Sequence, residues 1–144
     1  MPFAAAPGRH VRAALAAAAL ALIVSPLAAQ DFPDLKGTWT GTGWGVISGD
    51  LGHHDPSDEP RFKDDGPWTI EITEQQGGGL IGTFGNDQLT ETLIGVIADD
   101  GTTLHFVDED SLLTGTLRSE TEMGLCVQET GAAMVATCYV LTRQ

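Results

Sequence analysis

From residue 67 to its end the chain keeps one beat: a run of β-branched and apolar residues, then a turn. The runs are Trp68 to Glu74, Leu80 to Phe84, Glu91 to Ala98, Thr102 to Val107, Leu112 to Leu117, Met123 to Gln128 and Met134 to Thr142. Short Gly-rich or Asp-Gly segments separate them, such as Gln75 to Gly79 and Asp99-Asp100-Gly101. Connections of this length and chemistry make β-hairpins. Gly37 to Ile47 adds a strand at the front, for eight in all. Residues 30–144 show no apolar period of about 3.6, so helix is not expected. Eight strands joined by short hairpins predict an all-β, antiparallel up-and-down barrel, whose closure removes exposed edges. A two-sheet sandwich is the alternative. Glycines inside the strands favour the barrel: Gly41, Gly43 and Gly45 alternate along the first run, and Gly82, Gly95, Gly115 and Gly124 interrupt later ones. Such glycines belong where a strand bends or another group comes close.

The two cysteines, Cys126 and Cys138, flank Thr130-Gly131-Ala132-Ala133. A hairpin centred near Ala132 sets them opposite each other on neighbouring strands, within disulfide reach. With no C-x-x-C and no histidine nearby, the pair reads as structural rather than redox or metal-binding.

Residues 1–29 have the order of a secretory signal: Arg9 and Arg12, an apolar run from Ala13 to Val24, Pro26, then Leu27-Ala28-Ala29 before Gln30. The run falls short of the roughly 20 residues of a membrane-spanning helix, so no stable membrane anchor is expected. A periplasmic or secreted domain over 30–144 follows. All 20 acidic residues of the chain fall in that domain, against five basic ones (Lys36, Arg61, Lys63, Arg118 and Arg143), a formal charge of 5 − 20 = −15. A surface so acidic repels phosphate backbones, which excludes nucleic acid as a partner.

The first strand opens Gly37-Thr38-Trp39, and Arg143 stands next to the last residue. This pairing resembles the calycin superfamily of ligand-binding barrels, which includes lipocalins and avidin-like proteins. The resemblance implies that Trp39 packs under the Arg143 guanidinium in a cation–π contact that closes one barrel end. The avidin-like branch fits the length best, yet Trp39, Trp44 and Trp68 are the only tryptophans. That is too few for the branch's inner set, so biotin binding is not carried over.

Hairpin registers passed from strand to strand sort the side chains into two faces. Pairing about Asp100-Gly101, Glu109-Asp110 and Ser119-Glu120 puts Leu93, Ile97, Leu104, Phe106, Leu113, Leu117, Ala136, Val140 and both cysteines on one. The other takes Ile94, Val96, Val107, Leu125, Val127, Leu141, Thr103, Thr137, His105, Thr114, Thr116 and Tyr139. Both are more apolar than a barrel with one wet face requires, which points to self-association. The second carries a few polar groups on an apolar wall, the composition of a small-molecule pocket. Trp44, His105, Thr114, Thr116 and Tyr139 are therefore the candidate lining of the barrel mouth.

Residues 48–66 break the beat and read as one long acidic loop. His53, His54 and Asp55 are its candidate ligands for a divalent metal, although their spacing matches no defined site. No Ser–His–Asp or Cys–His arrangement can be assembled, so no catalytic residue is assigned and no cofactor is required. The expected function is non-catalytic binding of a small molecule at the mouth. The alternative is a protein-binding or enzyme-inhibiting barrel acting through the 48–66 loop, with a metal-dependent enzyme as a third reading.

Overall fold

A computed structural model describes residues 31–52 and 55–144. The expected secretory segment, and His53 and His54 of the acidic loop, lie outside the described residues. Eight strands follow one another: β1 Gly37–Gly49, β2 Ser57–Gln76, β3 Gly79–Gly85, β4 Thr90–Ile97, β5 Thr103–Val107, β6 Ser111–Ser119, β7 Glu122–Glu129 and β8 Met134–Arg143. Each pairs antiparallel with the next, and β8 returns to β1, so the sheet is a closed meander barrel.

Five of the six tight turns fall where the sequence signals them, and the β6–β7 turn sits at Glu120-Thr121, one residue beyond the expected Ser119-Glu120. At the β4–β5 turn the Asp100 carboxylate accepts the Thr102 and Thr103 amides at 2.8 and 2.7 Å, and Gly101 takes a positive φ of 71°. The β1 glycines serve close approach. A methyl group on Gly41 or Gly43 would overlap the β8 carbonyl oxygens of Val140 and Cys138.

Inward residues form one apolar core from Trp39, Trp68, Ile70, Ile72, Leu80, Phe84, Leu93, Ile97, Leu104, Phe106, Leu113, Met123, Leu125, Val127, Tyr139 and Leu141. On β4 to β6 this matches the first face traced from the hairpin registers. On β7 and β8 it is the opposite one. The cause is a bulge at Arg118: Leu117 pairs with Met123, but Ser119 pairs with Glu122. The extra residue slips the register by one, and a one-residue slip exchanges the two faces of every later strand. Leu125, Val127, Thr137, Tyr139 and Leu141 therefore point inward, while Ala136, Val140 and the cysteines line the outer wall.

The long loop is also shorter than expected. Residues 57–66 are the first half of β2, paired with β1 from Gly49↔Ser57 to Gly43↔Asp65. β3 joins β2 only from Thr69. The upper half of β2 thus has a neighbour on one side only among the described residues.

The barrel's two ends differ. At the end holding the β2–β3, β4–β5 and β6–β7 turns, residues 32–36 cross the opening. Leu35 is 1% exposed; its carbonyl accepts the Trp39 indole N–H at 3.0 Å and its amide donates to Gln75 Oε1 at 2.9 Å. The Arg143 guanidinium carbon lies 5.2 Å from the Trp39 ring centroid, and Arg143 Nη2 donates to the Lys36 carbonyl at 2.6 Å. That end is sealed, with Trp39 and Arg143 in the places the resemblance implies. Among the described residues, nothing crosses the other end.

Candidate functional site

The open end is a cavity of about 610 Å³. Its walls come from the β1–β2, β3–β4, β5–β6 and β7–β8 ends, which meander topology gathers on one side of the barrel. The deeper wall is aromatic. Trp68 of β2 stacks on Phe84 of β3 with centroids 4.7 Å apart and planes at 23°, and Tyr139 of β8 meets both rings at 6.3 Å. Trp68 shares the inward row of β2 with Ile70 and Ile72, because period-two alternation keeps those three on one face. Tyr139 donates from its hydroxyl to Asp65 Oδ2 at 2.5 Å, and the Lys63 ammonium lies 3.9 Å from Asp65 Oδ1. Burial, and then the hydrogen bond to the Asp65 carboxylate, hold the Tyr139 phenol above the ordinary tyrosine range.

The rim is acidic. Asp50, Glu91, Asp108, Asp110 and Glu129 line it, and one carboxylate oxygen from each of Glu91, Asp108 and Asp110 lies within 4.8 Å of the others. The Glu91 carboxyl is pushed up to about 7, first by burial and then by the charges of Asp108, Asp110, Glu109 and Glu129. Glu129 is raised in the same way, by burial and then by Asp110 and Asp108. Asp108 is committed to its own turn, accepting the Ser111 amide and hydroxyl at 2.7 Å.

Of the five candidate lining residues, only Tyr139 faces this cavity. Trp44, His105, Thr114 and Thr116 do come together, but on the outer wall. There, with Tyr139 beside them, they border a recess of about 650 Å³ next to the Cys126–Cys138 bond, with Trp44 63% exposed. The register explains the placement, since Trp44 pairs with Cys138, Cys138 with Cys126, Cys126 with Thr114 and Thr114 with His105. The disulfide joins the two directly opposed residues of the last hairpin, as their spacing predicts. Of the proposed metal ligands, the described Asp55 turns its backbone carbonyl to the Arg61 guanidinium.

Sequence reasoning missed Trp68, Phe84, Asp65, Glu91 and Glu129. A signal for the acidic rim was present. Ile94 pairs with Val107, and carrying that register outward sets Glu91 across from Asp110. Asp65 counted only as one of the carboxylates, with Asp58, Glu59 and Asp64, close to the candidate metal ligands, because a segment read as loop has no register to place it at the cavity. The chain matches none of the protein-family models, none of the curated proteins and none of the solved structures with which it was compared.

Proposed function

We propose that this chain is an exported, non-catalytic binding protein of calycin-like build that holds a small molecule in the open end of its barrel. The observation that carries the reading is the asymmetry of the two ends. One is plugged by Leu35 and Trp39; the other opens into a cavity of about 610 Å³ that reaches the rings of Trp68, Phe84 and Tyr139. A concavity with an aromatic floor and polar groups converging at its rim offers a small ligand both apolar area and orienting contacts. The disulfide suits an oxidising compartment outside the cytoplasm. The calycin reading rests on Trp39 under Arg143 in a barrel of eight strands.

Native mass spectrometry on protein drawn gently from its own host tests this directly. A retained organic mass is expected, and Trp68→Ala should release it. A bare polypeptide mass, joined to unmoved Trp68 indole signals across a metabolite library, would rule the reading out.

A second reading, partner binding through the upper half of β2, draws on Phe62, which is 92% exposed beside a strand edge that β3 does not cover. Its mark would be a captured protein lost on Phe62→Ser while thermal unfolding stays cooperative and unshifted.

A further inference from the structure

Taking the open end as a small-molecule site, we propose that its ligand is an organic cation, an amine or ammonium head joined to an apolar body. The cavity's own wall sets these terms. Among the described residues, every ionisable side chain on it other than Tyr139 is a carboxylate: Asp50, Asp65, Glu91, Asp108, Asp110 and Glu129. Lys63 lies within ion-pair distance of Asp65, whereas among the described residues the charged groups acting on Glu91 and Glu129 are all carboxylates. Like charges this close, partly withdrawn from water, repel each other more than they would in bulk solvent. An incoming cation relieves that repulsion, whereas an anion adds to it.

The deeper wall fixes the rest of the ligand. Trp68, Phe84 and Tyr139 present ring surface below the rim, and aromatic faces attract cations while their area buries an apolar body. A bare metal ion would use the rim and leave this surface idle.

The same geometry makes binding depend on pH. Among the described residues, the titratable groups facing Glu91 are Asp108, Glu109 and Asp110 of the β5–β6 turn and Glu129 of β7, and Asp65, Tyr139 and Asp50 are the others on the wall. The cation prefers the fully ionised rim, so affinity should rise as the pH climbs through the Glu91 transition at about 7.

Three probes sharing one body decide the matter on the intact protein: 3-phenylpropylammonium, 3-phenylpropanol and 3-phenylpropionate. Each is followed by NMR at the Trp68 indole N–H, with calcium and zinc titrated separately. The ammonium should bind about tenfold or more tightly than the alcohol, the carboxylate should not bind, and Glu91→Gln should weaken the ammonium several-fold. Glu91→Gln removes repulsion from the rim, so loss of fold will not mimic that result. Equal binding of alcohol and ammonium, or binding of the carboxylate, at the same indole signal overturns the cation while leaving a small-molecule site in place. Silence from all three and from a wider neutral and anionic panel overturns the site itself. A metal that shifts the rim signals but not Trp68, with no ammonium binding, likewise overturns the proposal.

Discussion

Tyr139 is the chain's only tyrosine, so its ionisation can be read without interference. Burial and the Asp65 carboxylate hold the phenol above the ordinary range. Alkaline titration should therefore show no tyrosinate absorbance in the folded protein, and the signal should arrive together with unfolding. Tyrosinate appearing around pH 10 with the barrel still folded would contradict the inward placement. Glu91 gives the complementary case. Its folded carboxyl is raised from 4.5 to about 7. Relative to the unfolded chain it stabilises at low pH, and that contribution is lost as pH rises through about 7. Glu91→Gln should then raise the melting temperature at about pH 8 and leave it nearly unchanged at about pH 4, where both side chains are neutral. Thermal melts at the two pH values check it.

Among the elements, the last hairpin carries a covalent tie across 12 residues of sequence. Replacing both Cys126 and Cys138 by serine should cost about 3 kcal/mol in the chain-entropy account, seen as a lower denaturant midpoint. That tie and all eight strands were legible because their signals are local: β-branched runs, Asp-Gly turns and a symmetric cysteine spacing. What escaped was set by distant or one-residue events. The bulge at Arg118 sits in turn-like sequence that reads equally well without it, yet it decides that Tyr139 faces inward and that His105 and Thr114 do not share its side. Residues 57–66 are charged and carry Pro60, so nothing local marks them as strand. Their extended form comes from pairing with β1. Pro60 and the charged side chains around Phe62 suit an edge that β3 leaves uncovered, since proline and charge discourage further strands from adding there.

At the scale of the molecule, the expectation of two apolar faces meets an outer row of Ile81, Ile94, Val107 and Leu112, which pair in sequence across β3 to β6 and are 48, 52, 37 and 62% exposed. The charge is the other global property. With 20 acidic residues on the domain against five basic ones, self-repulsion works against the compact state. Its melting temperature should therefore climb between low salt and about 0.15 M, as screening shortens the reach of those charges. Neutralising Asp110 at the crowded rim should shrink that climb more than neutralising Asp34 at the sealed end, a comparison that calorimetry can make.

Both chain ends of the barrel leave from the sealed side, where the Gln144 amide donates to the Thr38 carbonyl at 2.9 Å. The consequence is one of orientation. A partner joined behind β8 starts from the sealed end, and the opening faces away from it. A short linker between the two ends, with the chain reopened at Asp87 in the β3–β4 turn, would leave all eight strands whole. Fusion partners, immobilising tags and surface tethers can be attached behind β8 without standing in the way of whatever enters the mouth.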